Sequence, residues 1–206
     1  MSRAPRLLGA VLAGGEGRRF GGPKAEVSVG GVPMVERAVS VVRSVVGDVV
    51  VVSARPLSTA FAPLLRDRIP GAGPLGGLEA ALRHARAHGH DGVLLVACDL
   101  PLLTPGLLTR VADALGSHAA VAPARASGGV EPLCAAYSVR ALDAVERRLG
   151  GEDRSLHALF RELGGEVIPS AELNVGPSAF LNVNTPEDRV RAEAALLATD
   201  AERSAG

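Results

Sequence analysis

LLGAVLAGGEGRRFGGPK, Leu7 to Lys24, opens on a continuous apolar run that ends in Gly14 and Gly15. An apolar run of this length before a glycine turn is the pattern of a strand buried on both faces, as in the parallel sheets that helices cover on either side. The rest, LAGGEGRRFGGPK, carries five glycines, two arginines and one lysine. Glycine lets backbone N–H groups turn toward phosphate oxygens at close range, and cations offset the phosphate charge. Two familiar phosphate-binding patterns fail here. The dinucleotide fingerprint G-x-G-x-x-G is matched at Gly15 and Gly17 but meets Phe20 at its last position, and the Gly-Lys-Ser/Thr of P-loop ATPases is broken by Pro23 and Ala25 on either side of Lys24. Taken alone, the loop is either a phosphate cradle or a flexible surface turn.

The flanking sequence extends the strand into an α/β pattern. Met34 to Val46 places Met34, Val35, Ala38, Val39, Val42 and Val45 at spacings of three and four, which predicts a helix with one apolar face. Asp48 to Ser53 reads as a second buried strand, Leu78 to His88 as a helix, and Gly92 to Cys98 as a third strand closing on Asp99. Thr104 and Pro105 form the N-cap and first position of a helix through Leu115. This alternation predicts a doubly wound α/β fold, its sheet mostly parallel (mixed), with helices on both faces.

Further along, Ala119 to Pro123 and Pro132 to Tyr137 are strand-like runs separated by the turn-rich ARASGG. Helices are expected at Val139 to Leu149 and Ser155 to Leu163, and a strand at Glu166 to Ile168. Pro186 opens a last helix to about Leu197. Residues beyond Thr199 are small and charged, so the expectation is a single domain over 1–198 and a disordered tail at 199–206.

Composition narrows the partners. Twenty-two basic and 22 acidic residues leave no net charge, and aromatic residues are 2% of the chain, which argues against nucleic acid. The apolar runs Val49 to Val52 and Val93 to Cys98 fall short of a membrane span. MSRAPRLLGAVLAGG flows directly into the glycine loop and reads as a strand, not a signal peptide. Cys98 and Cys134 then read as packed free thiols in a reducing cytoplasm. Lys24 is the only lysine among those 22 basic residues, the other 21 being arginine. Either codon bias left one survivor in the loop, or a compact ammonium is needed where a planar guanidinium does not fit.

In a doubly wound sheet, ligands bind outside the carboxyl ends of the strands. Gly14 and Gly15 follow the first strand, Ser53 the second and Asp99 the third. Asp99 is placed to hold Mg²⁺ on triphosphate oxygens; its other reading is an N-cap, although Thr104 already serves the next helix. Asp67 is either a ligand contact or a solvated acid at a helix end. GPLGG, Gly73 to Gly77, reads as a turn that lets another backbone pass close to a flat base.

LAGGEGRRFGGPK, GPLGGL, CDLPLL, EPLCAAY and FLNVNTPED, in this order, resemble the molybdenum cofactor guanylyltransferases of the wider nucleotidyltransferase group, over Leu7 to about Leu197. The resemblance implies a Rossmann-like nucleotidyltransferase fold and transfer of GMP from GTP to the terminal phosphate of molybdopterin, with Mg²⁺ and release of pyrophosphate. It implies that Leu12, Ala13, Gly14 and Gly15 contact the guanine nucleotide, with Ser53, Asp67 and Gly77 as further contacts. Lys24 would bind the phosphates, Asp99 would hold the metal, and Arg18 and Arg19 would steady the departing pyrophosphate. Asn182, Asn184 and Arg154 would lie on the molybdopterin side, although NTPED is also a good turn and capping sequence. Two departures stand out: Ser53 replaces the usual asparagine, and Pro23 alone separates Gly22 from Lys24 where the family has one more residue. Alternatives are a cytidylyl transfer to the same pterin, another phosphorylated acceptor, or a non-catalytic carrier in transient contact with molybdoenzymes or other cofactor-synthesis proteins.

Overall fold

A computed structural model describes residues 5–14, 20–57, 62–67, 69, 71–176 and 178–204, with side chains up to 199. Strand β1 (Leu7–Leu12) lies inside a seven-stranded sheet, with two strands on one side of it and four on the other. Its alternate residues face opposite cores. Leu7 and Val11 join a cluster with Val35, Val39 and Val42 of helix α1 (Met34–Arg43) and with Leu107, Leu108 and Val111 of α3 (Pro105–Ala114). Leu8, Ala10 and Leu12 join a second cluster with Leu75, Leu78 and Leu82 of α2 (Gly73–Ala87), Val145 of α4 (Leu142–Leu149) and Leu159 of α5 (Leu156–Glu162). The period of two along a strand thus fills both faces, which is why the run is apolar throughout. Gly9 brings α1 close: a Cβ there would lie 2.4 Å from Val42 Cγ1.

The remaining strands are β2 (Ser28–Val29), β3 (Val32–Pro33), β4 (Asp48–Ser53), β5 (Leu64–Arg66), β6 (Gly92–Ala97), β7 (Ala120–Pro123), β8 (Cys134–Ser138) and β9 (Glu166–Ile168). The large sheet runs β5-β4-β1-β6-β8-β7-β9. Strand β1 pairs parallel with both β4 and β6, β4 with β5, and β7 with β9; β8 is antiparallel to β6 and β7. The mostly parallel, doubly wound expectation is met. The chain leaves β1 toward β4 and β5, then returns to β6 on its other side, so the order reverses at β1 and opens a crevice at its carboxyl end.

Thr104 accepts the N–H of Leu107 as the predicted cap of α3, and Ser155 accepts that of Ala158 to cap α5. Other boundaries differ. Helix α2 begins at Gly73, so GPLGG is its first turn and not a loop; burial of Leu75 and Leu78 on one face outweighs the weak helix propensity of glycine. Asp67 follows β5, not a helix. The expected Val139 helix starts as a 3-10 turn over Val139–Ala141. The last helix, α6 (Pro186–Ser204), continues past Leu197 into the segment expected to be disordered, where alanine, glutamate and arginine sustain it. The hairpin β2–β3 turns at Gly30 and Gly31, with φ of 61° and 77°. Its Val29 packs with Met34, Val183 and Ala192, which docks α6 onto the body.

Candidate active site

Backbone hydrogen bonds carry the sheet one residue past β1, from Ala13 N–H to Val52 O at 2.9 Å and from Cys98 N–H to Leu12 O at 3.0 Å. The ends of β4, β1 and β6 are therefore held level, and the loops leaving them begin side by side. Ser53, buried at the end of β4, donates to Ala13 O at 3.2 Å and accepts from Arg55 N–H at 3.2 Å. Its hydroxyl ties the start of the glycine loop to the neighbouring strand. Gly14 is exposed, and a Cβ there would meet nothing within 4 Å among the described residues, as approach by a ligand requires. Gly15, Arg18 and Arg19 lie outside the described residues.

Lys24 is buried in a 3-10 turn, Lys24–Glu26, directly after Pro23. Its Nζ donates to Asp99 Oδ2 at 2.5 Å, to Asn184 Oδ1 at 2.5 Å and to Asn182 Oδ1 at 3.3 Å. An ammonium has three hydrogens, and three acceptors surround this one. A guanidinium is planar and cannot point its donors in those three directions from one atom. The shortened Gly-Pro-Lys connection therefore does not keep the lysine from the acid that closes β6. Four residues from three separate motifs, 24, 99, 182 and 184, form one cluster.

Asp99 gives only one carboxylate oxygen to Lys24. Its Oδ1 is buried and has no hydrogen-bond partner among the described residues. A bare acceptor of this kind in a part-buried position invites a cation or donor from a ligand. Among the described residues no group of three or more His, Cys, Asp or Glu side chains gathers to cage a metal. Any divalent ion here would take most of its ligands from substrate and water. Next door, burial and then the Asp99 charge push the Cys98 thiol up to about 12, so it stays protonated and inert.

The asparagines are delivered by the start of α6. Asp188 accepts the N–H groups of Asn184 and Thr185, both at 2.9 Å, and Thr185 Oγ1 accepts the N–H of Asp188 at 3.2 Å. This reciprocal cap sets the turn that presents Asn184. The backbone bond from Asn184 is the leading cause that holds the Asp188 carboxyl below its ordinary range. Val183 N–H donates to Asp99 O at 3.0 Å and ties the same turn to the end of β6. NTPED is thus a capping sequence and a site sequence at once. The part played by Asp188 is one that sequence reasoning misses, although T-P-E-D has the spacing of a capping box.

Asp67, at the end of β5, accepts Ile69 N–H at 2.9 Å, and its carboxylate lies over Gly76, where a Cβ would come within 2.7 Å of Oδ1. Gly77 makes room for a side chain instead of a backbone: a Cβ there would lie 2.7 Å from Leu12 Cδ2. Arg154 is exposed in the connection between α4 and α5, and no hydrogen bond or ion pair among the described residues joins it to the Lys24 cluster.

A mostly parallel sheet at whose strand ends a lysine that follows a glycine-rich segment meets an aspartate fits the class of nucleotidyltransferases. Comparison with known proteins narrows the class. Residues 9–167 match the family model described as the MobA-like NTP transferase domain. The molybdenum cofactor guanylyltransferase of Desulfosudis oleivorans is 36% identical over 198 residues, covering 93% of this chain and 96% of that protein. The crystal structure of molybdopterin-guanine dinucleotide biosynthesis protein A from Archaeoglobus fulgidus aligns with a TM-score of 0.76 at 28% identity, covering 92% of this chain and 98% of that one. The 2-C-methyl-D-erythritol 4-phosphate cytidylyltransferase of Thermus thermophilus shares the fold, with a TM-score of 0.66, 23% identity and coverage of 91% and 98%. This chain belongs to the molybdenum cofactor guanylyltransferase family.

Proposed function

We propose that the chain transfers the guanylyl group of GTP to the terminal phosphate of molybdopterin. The observation that carries this reading is the placement of Lys24 Nζ between Asp99 and Asn184, at the carboxyl end of β6. An acceptor phosphate oxygen attacks the α-phosphorus of GTP, a new phosphoanhydride bond forms, and the α–β phosphoanhydride bond breaks as pyrophosphate leaves. The attacking oxygen is already anionic, so the enzyme needs no nucleophile of its own. What remains is to align two anions and offset the charge that builds between them.

In this reading Lys24 exchanges part of its hydrogen bonding from Asp99 and the asparagines to phosphate oxygens, while Arg18 and Arg19 steady the pyrophosphate. Leu12, Ala13, Gly14 and Gly15 line the guanine nucleotide, with Ser53 fixing the loop they begin and Asp67 and Gly77 bounding the far side. Asn182 and Asn184 orient the pterin side, with Arg154 as a further contact on that side. Asp99, with Oδ1 bare and Oδ2 on Lys24, is the carboxylate that would hold Mg²⁺, and the ion would supply charge neutralisation there. The proposed location is the cytoplasm, which two free, buried cysteines suit. No described helix is long and apolar enough to cross a membrane. Molybdoenzymes that take up the product are the proposed transient partners.

The test is incubation with molybdopterin, Mg²⁺ and each of GTP, CTP, ATP and UTP while pyrophosphate is followed. Release with GTP alone is expected. Release with CTP alone would make the chain a cytidylyltransferase, and binding of nucleotide and pterin without release from any would make it a carrier.

A further inference from the structure

Two buried or half-buried charges near the crevice have no part in the transfer chemistry proposed so far. Glu131 is 1% exposed, in the segment between β7 and β8. One of its oxygens accepts Leu133 N–H at 3.1 Å and the other is paired with the Arg125 guanidinium. Burying a carboxylate against a half-exposed guanidinium is a poor way to close a hairpin, because the desolvation of the carboxylate offsets much of their attraction. The hairpin is closed without them by the bond from Arg125 N–H to Gly129 O at 3.0 Å and that from Glu131 N–H to Pro123 O at 2.9 Å. Closure of the hairpin therefore does not depend on the pair.

Its position is informative. Strand β7 runs in the direction of β6, so Arg125, just past the end of β7, rises on the same rim as Asp99. Ala97 N–H donates to Leu133 O at 2.8 Å, which fastens the Glu131–Leu133 segment alongside the end of β6. The nucleotide contacts proposed above lie at the ends of β1, β4 and β5, on one side of β6. Arg125 lies on the other. Its side chain is 37% exposed, one terminal nitrogen is taken by Glu131, and Nε is buried without a partner among the described residues. A guanidinium has five N–H donors in a fixed fork, so the carboxylate fixes its orientation and leaves donors unused. The pair carries no net charge; what it offers an anion is aimed N–H groups.

We propose that Arg125 binds the anionic phosphate of the acceptor and that Glu131 is the positioning residue that aims it. This rests on the acceptor being the phosphorylated pterin. Equilibrium binding of molybdopterin and of GTP, each measured alone, separates the two ideas from one another and from turnover. Arg125→Gln is expected to weaken molybdopterin binding about tenfold or more, the scale of a lost charge-assisted hydrogen bond, while GTP binding, measured below a melting temperature that falls because the buried Glu131 loses its partner, stays as in the parent. Arg125→Lys is expected to recover part of the loss, and Glu131→Gln to weaken molybdopterin binding to a smaller degree with GTP binding unchanged. Unchanged molybdopterin binding in Arg125→Gln, or equal loss of both ligands, would overturn the inference. If the parent protein binds molybdopterin yet releases no pyrophosphate, the transferase reading fails and the inference is still decided by the binding comparison; if the parent does not bind molybdopterin, both fail.

Discussion

Asn184 and Lys24 stand 160 residues apart in the chain, and the amide oxygen of one lies 2.5 Å from the ammonium of the other. The contact joins the glycine loop after β1 to the cap of the last helix. In the proposed reaction it makes the ammonium the meeting point of the nucleotide side and the pterin side.

Replacing Lys24 therefore removes the charge that the proposed reaction sets between its two substrates. Lys24→Ala is expected to lower pyrophosphate release about 100- to 1,000-fold, the range for loss of one preorganised charge-stabilising group. Lys24→Arg is expected to restore little, because its donors cannot converge on three acceptors from one atom. Circular dichroism and steady-state kinetics check both, and wild-type-like release from either variant would overturn the assignment.

The cap that presents Asn184 is expected to affect stability and rate together. Thr185→Ala is expected to cost about 1 kcal/mol in denaturant unfolding and to reduce kcat. The Asp188 carboxyl lies below its ordinary 3.8 in the folded chain, so it binds its proton more weakly folded than unfolded. Its contribution is present in full above 3.8 and is lost as pH falls through its lower folded value. Unfolding titrations of the parent and of Asp188→Asn should converge at the acid end; a constant gap down to that range would count against the cap.

Gly9 and Gly77 both admit a close neighbour, with different consequences. Gly9→Ala drives a methyl to 2.4 Å from Val42 Cγ1 in α1 and 2.9 Å from Val46 Cγ2 just beyond it, and is expected to destabilise by about 1–3 kcal/mol. Gly77→Ala meets the tip of Leu12, which can swing aside at the end of β1. A few-fold rise in the GTP dissociation constant with little change in melting temperature is expected there.

Both thiols are sealed. Burial raises Cys134 even further than Cys98, and both cysteines are free. At pH 8 neither should react with a thiol reagent in the native protein, and both should label after unfolding. Rapid labelling of the native chain would show that the β6–β8 region opens readily.

Elements specified by neighbouring residues are legible in the sequence. The apolar run of β1, the valine face of α1, Thr104 with Pro105 at α3 and the strand Glu166–Ile168 each depend on spacing or capping within a few positions. Strand β5 is not legible, because Leu64–Arg66 has no burial pattern of its own and is a strand only through its pairing with β4. Hairpin β2–β3 carries a local signal, Gly-Gly between valines, but its strands are two residues each and too short to show a period.

From the sequence alone came the kinds of residues a phosphate site needs, Lys24, Asp99, Asn182 and Asn184, and the strand and helix ends on which three of the four sit. Local propensity and period act over a few residues, and they place such groups along the chain without bringing them together. Only the tertiary fold decided that one ammonium takes acceptors from two motifs, that Asp99 keeps one oxygen bare, and that Glu131 is buried beside Arg125. Those outcomes depend on the order of strands in the sheet and on the docking of α6, contacts between residues far apart in sequence whose partners no local pattern names.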